Sequence, residues 1–511
     1  MTAAIDITAG QRKTLLALLR RYIPGVAVWA YGSRVKWTAR PNSDLDLVAF
    51  TTPEQQPLVS ELKEALAESD LPFLVDFHVW DDVPERFHEI IRKEYVVLQE
   101  AKEKQVGAGQ TDAWRESTWG EEISLEYGKS LRGYDTVSGQ FRVFGSNGPI
   151  GWTTQPLANG PGVILGRKGA YRGVQYSRYP FFVIDTAYYV VPKTQLDMRW
   201  VYYAIKHHKL GEIDDGSPIP STTRSAVYVK DLLVPPPSEQ KTIAHILGTL
   251  DDKIELNRRM NATLEAMARA LFQSWFVDFD PVRAKLDGRQ PAGLDAATAA
   301  LFPAHFQESP LGHIPQGWSA GTLIESFNLT MGQSPPGDTY NEDGEGIPFY
   351  QGRTDFGFRF PTRRIYCTAP TRYAKSGDTL VSVRAPVGDI NMADEECCIG
   401  RGVAAVRHKS GAVSFTYHSM ANLSPDFARF EAEGTVFGSI NKQNFENLSF
   451  VNPPPEVVAA YEKFAAPLDD QIYTLEHQSR SLDALRDSLL PKLLSGELRV
   501  VVSAIEESVV A

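Results

Sequence analysis

The 511-residue sequence predicts a multidomain α+β chain: a small α/β domain, then two mixed α/β units, each leading into a long helix, with the helices packed on one another. The first observation behind this is an internal echo. Moving Pro235–Trp275 forward by 218 positions lays Pro235, Pro236 and Pro237 on Pro453, Pro454 and Pro455, and Leu250-Asp251-Asp252 on Leu468-Asp469-Asp470, without a gap. Ile254, Leu264, Ala266 and Leu271 meet Ile472, Leu482, Ala484 and Leu489, and an echo at a fixed offset dictates repeated architecture. The second observation is that each copy follows a long stretch rich in Gly, aromatic residues and short β-like runs. The third is the opening segment, where an amphipathic run is followed by apolar strands carrying acids.

From Gln11 to Tyr22 the leucine spacing predicts a helix. Val26–Phe50 then reads as a strand, a Gly32-Ser33 turn, an irregular loop, and a second strand carrying Asp44 and Asp46. Residues two apart on a strand point the same way, so both carboxylates face one spot. Asp76, in the apolar run LPFLVDFHVW, would join them from a neighbouring strand. Clustered carboxylates repel unless a cation separates them, and hard oxygen ligands suit Mg²⁺. Such a site would hold nucleotide phosphates through an in-line displacement. Gly32 admits a phosphate close to the backbone, Ser33 can donate to it, and Arg34, Lys36 and Arg40 add positive charge. At these residues the chain resembles the minimal nucleotidyltransferases: Gly32-Ser33, Asp44-x-Asp46, then a strand aspartate at Asp76, with IRKEYVVLQ (Ile91–Gln99) resembling their closing segment. The resemblance implies that Asp44, Asp46 and Asp76 are the metal-binding and catalytic carboxylates, that Asp76 also activates the acceptor, and that Mg²⁺ and a nucleoside triphosphate are the cofactors.

The polar segment Ala101–Asp112 reads as linker. Beyond it, VILGRKGAYRGVQYS (Val163–Ser177) and TLVSVRAPVGDINMA (Thr379–Ala393) share a strand-loop-strand look. SAVYVKDLLVPPP and QNFENLSFVNPPP hold the same place before the helices. Ile243, Leu247, Leu250, Ile254, Leu264, Ala268, Leu271 and Trp275 recur at alternating spacings of three and four, the mark of one seam, interrupted by Asn257 and Asn261. The second copy offers Leu468, Ile472, Leu475, Leu482, Leu489 and Leu493. Pro467 falls where the first copy has Thr249, and proline interrupts a helix. A short leading helix and a kink before Pro467 are therefore expected.

This arrangement, with VPPPSEQKTIAHIL, LDDKIELNRRMNATLEAMARALFQSWFVDFDPV, IPQGW, GSINKQNFENLSFVNPPP and LLPKLLSGEL, closely resembles the specificity subunit of type I restriction-modification systems. The resemblance implies two target recognition domains, each reading half of a split double-stranded DNA sequence, and two antiparallel spacer helices that dock two methyltransferase subunits, with restriction (helicase-nuclease) subunits in the complex. It divides the chain into a nucleotidyltransferase-like domain 1–100, linker 101–114, recognition domain 115–235, spacer helix 236–290, linker 291–317, recognition domain 318–453, spacer helix 454–500 and tail 501–511. Leu250, Ile254, Leu264, Leu271, Leu468, Ile472, Leu482 and Leu489 mark the spacer pairing. The specificity part needs no cofactor of its own; S-adenosylmethionine and ATP belong to partner subunits.

Net charge is −11, yet Lys129–Phe182 holds seven Lys or Arg and one acid, Asp135, and local patches set the field a phosphate feels. Candidate DNA contacts are Arg132, Arg142, Arg167, Lys168, Arg172 and Arg178 in the first unit, and Arg353, Arg363, Arg364, Arg372, Lys375 and Arg384 in the second. No apolar run is long enough to span a bilayer and the start lacks an apolar signal core, so the expected compartment is the cytoplasm. Three cysteines make no disulfide framework. Asn452-Pro453-Pro454-Pro455 mimics an adenine-methyltransferase loop but has proline where an aromatic ring must stack on the base. No Walker-type loop is present. The alternative reading is a Mg²⁺-dependent nucleotidyltransferase, or an antitoxin-like regulator, targeted by a DNA-binding module.

Overall fold

The computed structural model describes residues 5–24, 26–40, 43–51, 56–80, 83–99, 113–213, 220–432 and 438–500. Most of the expected linker 101–114 and the whole expected tail 501–511 lie outside the described residues. The chain forms two compact units, 1–113 and 114–511.

The first unit is a four-stranded sheet with helices α1 (Ala9–Tyr22), α2 (Gln56–Ala67) and α3 (Glu85–Lys93). Strands β1 (Val28–Tyr31), β2 (Leu45–Ala49), β3 (Val75–Val79) and β4 (Val96–Gln99) run in the spatial order β3-β2-β1-β4. α1 starts at Thr8, whose hydroxyl accepts from the Gln11 amide while the Gln11 side chain accepts from the Thr8 amide. That reciprocal cap satisfies two otherwise orphaned donors. Leu15 and Leu19 of α1 and Leu62 of α2 bury against Val28, Ala30, Leu45 and Leu47 on one sheet face. On the other face, Val48 packs with Ile91 of α3 and with Trp29 and Tyr31. Strand alternation therefore puts the aromatic residues of β1 on the same face as Asp46.

The second unit contains one topology twice. In the first copy, strand Arg115–Thr118 pairs antiparallel with Asp231–Val234; in the second, Ser319–Thr322 pairs with Ser449–Asn452. Thr118 and Thr322 each close a capping box on a one-turn helix. Each copy then builds a four-stranded antiparallel sheet: Ile123–Tyr127, Ala187–Pro192, Gly162–Gly166, Val174–Ser177, against Phe327–Met331, Val403–His408, Thr379–Val383, Val387–Met392. What differs is the added sheet. The first copy has three strands (Phe181–Val183, Phe141–Gly145, Gly148–Thr153), and the second has five short ones spread over Tyr340–Ile399.

The closing strands deliver the chain into two helices, Pro237–Phe276 and Pro455–Leu494, each of 40 residues and each starting on proline, which is tolerated in a first turn. Their bounds differ by the same offset as the sequence echo. The pair is antiparallel: Asp251 meets Arg486 (2.8 Å), Asn257 meets Gln478 (2.9 Å), and the Ala268 carbonyl accepts from the Tyr461 hydroxyl (3.3 Å). Each recognition unit consequently sits on the start of one helix and the end of the other. Ile243, Ala244 and Leu247 share a core with Leu493 and Leu494, whereas Phe272, Trp275 and Phe276 share one with Val457, Val458 and Tyr461. The expected break at Pro467 does not occur. Proline costs roughly 3 kcal/mol inside a helix. Burial of Val457, Val458, Ala460, Tyr461 and Ala465 ahead of it outweighs that, at roughly 1.5–3 kcal/mol for each large apolar side chain.

The seam follows the predicted spacing, with Ile254, Ala268, Trp275 and Ile472 buried and Leu250, Leu264, Leu271, Leu468, Leu482 and Leu489 half-buried. Asn257 and Asn261 are buried within it. Asn257 donates to the carbonyl of Leu475, 218 residues away and its own repeat equivalent (3.5 Å). A residue that touches its equivalent lies on the axis relating the repeats, so the pseudo-twofold passes here. Among the described residues the buried Asn257 amide oxygen has no hydrogen-bond partner. Asn257→Leu is therefore expected to raise the stability of this unit by about 1 kcal/mol while loosening helix register, since a buried seam amide trades stability for alignment. Thermal melting and hydrogen exchange through residues 250–262 measure the two effects; a lower melting temperature would show that the bonds to Gln478 and Ser479 dominate. Among the described residues no helix is long and apolar enough to cross a membrane.

Candidate carboxylate site and nucleic-acid cleft

In the first unit, register brings the acids together. Asp46 on β2 lies opposite Tyr31 on antiparallel β1 and opposite Asp76 on parallel β3. Adjacent strands are about 4.8 Å apart, so the two carboxylates are lateral neighbours on one face. Asp44 falls one residue before β2, exposed, and not within the strand as expected. Burial raises the Asp46 carboxyl above its ordinary range, and the nearby charges of Asp76 and then Asp44 raise it further. Burial, with the same Asp46 and Asp76 charges, pushes the Tyr31 hydroxyl up to about 12. His78 faces Asp76 at 3.1 Å.

Gly32 has φ +82°, and a Cβ there would stand 2.2 Å from the Asp46 carboxylate, so glycine is required both for the turn and for the carboxylate's approach. Ser33 is half-buried in that turn, its carbonyl accepting from the Thr38 amide (3.0 Å). Arg34 does not face the site. It is buried, donates to the carbonyls of Ser43 (2.7 Å) and Asp6 (2.9 Å), and stacks on Phe73, so it fastens the loop. Lys36 pairs with Glu94 at 3.7 Å, and Arg40 is exposed. Among the described residues no three Asp, Glu, His or Cys groups converge to hold a metal by themselves. The mutual repulsion at Asp46 nonetheless fits a cation held by one or two carboxylates and completed by substrate phosphates and water, the habit of Mg²⁺.

In the second unit, the added three-stranded sheet and the first long helix enclose a cleft of about 800 Å³. Its walls carry Arg142, Arg178, Arg199, Lys206, Arg258, Arg259 and Arg486 against Asp251, Asp252, Glu255 and Asp483, with Gln140, Gln175, Trp152 and Tyr179 between them. Tyr179 is largely exposed and Trp152 partly so, and Arg142 stacks on Trp152 at 4.5 Å. Positive charge with uncommitted amides and exposed rings is the make-up of a surface that meets phosphates and bases. The first recognition domain is held to the helix by the two echoed aspartates. Tyr203 donates to Asp251 (2.6 Å), and Arg199 forks onto Asp252 (2.6 and 3.0 Å). Burial would raise the Asp252 carboxyl, but hydrogen bonds from Arg199 and Arg178 outweigh it and hold the group below the usual carboxylate range.

The twelve basic candidates divide by partner. Arg172 is spent on the carbonyls of Gly211, Gly169 and Ile213 and is a structural staple. Arg178 pairs with Asp252, Arg353 with Asp389, Arg363 with Glu395, and Arg364 with the buried Asp355. Arg167 lies over Tyr127 at 5.0 Å. Arg132, Lys168, Arg372, Lys375 and Arg384 are exposed and form no ion pair among the described residues. Of these, the cleft gathers only Arg142 and Arg178. Gln175, Trp152, Tyr179, Lys206, Arg258 and Arg259 escaped sequence reading because nothing in local spacing marks them; the adjacent arginines just beyond Asn257 were the one available signal.

Two families and several relatives match parts of the chain. The family described as polymerase beta, nucleotidyltransferase matches residues 13–104, and the type I restriction modification DNA specificity domain matches 144–266. A putative type I restriction enzyme MjaX specificity subunit from Methanocaldococcus jannaschii is 29% identical over 318 residues, covering 60% of this chain and 70% of that protein. The type I restriction enzyme HindI specificity subunit of Haemophilus influenzae is 25% identical over 337 residues, 55% of this chain and 71% of its own length. A probable protein adenylyltransferase, MntA of Haemophilus influenzae, is 46% identical over 105 residues, 20% of this chain and 91% of MntA. With the duplicated topology, the paired helices and the carboxylate-bearing first sheet, the chain resembles the specificity subunits of type I restriction-modification systems and carries a nucleotidyltransferase-family domain at its N-terminal side.

Proposed function

We propose that the second unit reads a bipartite double-stranded DNA target, one half-site per recognition domain, and scaffolds two methyltransferase subunits together with restriction subunits in the cytoplasm. The observation that carries this is the pseudo-twofold at Asn257 and Leu475, which relates two like domains across one antiparallel helix pair. A symmetric reader matches paired half-sites. Helices of 40 residues are about 60 Å long, enough to hold the readers one or two DNA turns apart. The recognition domains share a scaffold and differ in their added sheets, as two readers of different half-sites must. Met267 and Leu485 are repeat equivalents and are 53% and 46% exposed. One on each helix, they supply two matching apolar positions for methyltransferase docking. S-adenosylmethionine and ATP are assigned to the partner subunits.

The test is to purify the chain with its methyltransferase partner and map methylated adenines on DNA. Two short half-sites at a fixed gap are expected, and exchange of residues 115–235 for another recognition domain should change one of them. Unchanged methylation after both domains are exchanged would sink the proposal.

For the first unit we propose Mg²⁺-dependent nucleotidyl transfer, and the likeness to MntA favours a protein acceptor. Asp46 and Asp76, with Asp44 beside them, would hold the cation, which stabilises charge on the transferred phosphoryl group. Gly32 keeps the turn open for a phosphate, Ser33 donates to it, and Asp76, next to His78, takes the proton of the acceptor hydroxyl.

A further inference from the structure

We propose that the first long helix is itself part of the DNA interface: Arg258 and Arg259, immediately beyond the pseudo-twofold axis, bind phosphodiester groups of the unread DNA between the two half-sites. This rests on the DNA-reading proposal above. Both arginines are exposed and line the cleft beside Arg142 and Arg178. At 100° per residue they fall on the flank of the helix that carries Gly248, Asp251 and Asp252 about two to three turns earlier, the flank on which the first recognition domain docks. Met260 and Met267, which are exposed and apolar, lie on a different flank, while Leu256 stands at the edge of the cleft. The same groove therefore runs from the recognition domain to the middle of the spacer. Arg259 has only a solvent-screened pair with Glu255 one turn away (2.9 Å), and Arg258 forms no ion pair among the described residues, so both charges are available to a phosphate.

The repeat shows that the fold does not need arginine there. The equivalents on the second helix are Glu476 and His477, and that flank is covered by the second recognition domain: Arg480 donates to Asp394 (2.8 Å) and to the carbonyl of Pro361 (3.0 Å), with His477 3.7 Å from Asp394. The open cationic flank exists on one side of a symmetric scaffold, in a chain of net charge −11. Its place on the axis fixes what it meets. In a reader of two half-sites, the axis lies over the centre of the intervening duplex, where no base is read and only backbone is offered.

Binding of the full chain to a duplex bearing its bipartite target, and to a scrambled duplex, is measured across a salt series. Arg258→Ala with Arg259→Ala should weaken both by the same factor, about 5–20-fold near physiological salt, and lower the slope of log affinity against log salt by about 2. Lysine at both positions should restore most of the affinity. Neutral methylphosphonate linkages in the intervening segment should weaken the native chain comparably and leave the double alanine variant unaffected. If the native chain binds and the double variant matches it in affinity and slope, or if the loss depends on base sequence, the inference is overturned. Loss of methyltransferase assembly with DNA affinity intact would overturn it as well, by assigning the flank to subunit docking. Failure of the native chain to bind any duplex would instead overturn the DNA-reading proposal.

Discussion

Replacing Arg359 by alanine is expected to destabilise the second unit by about 3–5 kcal/mol, because it strands two carboxylates at a buried junction. The Arg359 side chain is fully buried, donates to Asp469 of the second helix at 2.5 Å, pairs with Glu265 of the first helix, and stacks on Tyr417 at 3.9 Å. Burial alone would lower its proton affinity, but the carboxylates of Asp469 and Glu265 outweigh that and keep it cationic. One side chain thus ties the second recognition domain to both spacer helices. Asp469 is the echo of Asp251, so each domain docks on the same aspartate of the repeat, through Tyr203 on one side and Arg359 on the other. Urea unfolding followed through Trp275 and Trp318, both buried in this half, reports the loss. Arg359→Met combined with Glu265→Leu and Asp469→Leu should recover most of it, since a removed triad leaves no unpaired charge. A loss under about 1 kcal/mol for the single alanine would show that the pair behaves like a solvated one.

Asp46→Asn together with Asp76→Asn is expected to lower any transfer of labelled nucleotide by at least about 1,000-fold, as removal of the cation's carboxylates should. The same site gives a prediction independent of activity. The Asp46 carboxyl is raised in the folded protein, so its neutral form is the better bound one. Stability contributed by that group is full below the unfolded-state value near 3.9 and is lost as pH rises through the folded value. At neutral pH without metal, Asp46→Asn should therefore melt at the native temperature or above it. Mg²⁺ with a nucleoside triphosphate should raise the melting temperature of the native first unit but not of the double variant. A fall in melting temperature for Asp46→Asn, or equal stabilisation of both proteins by the ligand, would contradict the assignment.

The echo at a fixed offset was enough to foresee the two helices, because a seam at alternating spacings of three and four is a property of local sequence, and both ran for 40 residues at that offset. The strand-borne acids were legible for the same reason: alternation puts Asp46 on one face, and Asp76 followed in the next strand. Arg34 and Arg172 look like free cations in sequence, yet each is spent on backbone carbonyls of segments far along the chain. Arg353, Arg363 and Arg364 likewise met acids contributed by folding, since a charge's partner depends on distance in space. Pro467 was misread because a propensity of roughly 3 kcal/mol is smaller than the packing energy of the turns ahead of it.

By itself, then, the sequence determined the duplicated architecture, the spacer helices and the order of the carboxylate strands, all of which are periodic or local signals. Only the tertiary structure decided where the axis lies, that Arg359 and the echoed aspartates carry the recognition domains, and that Arg258 and Arg259 open into the same cleft as Trp152 and Gln175. Those depend on which surfaces meet when two 40-residue helices cross-pair from opposite ends, and no window of sequence contains both partners.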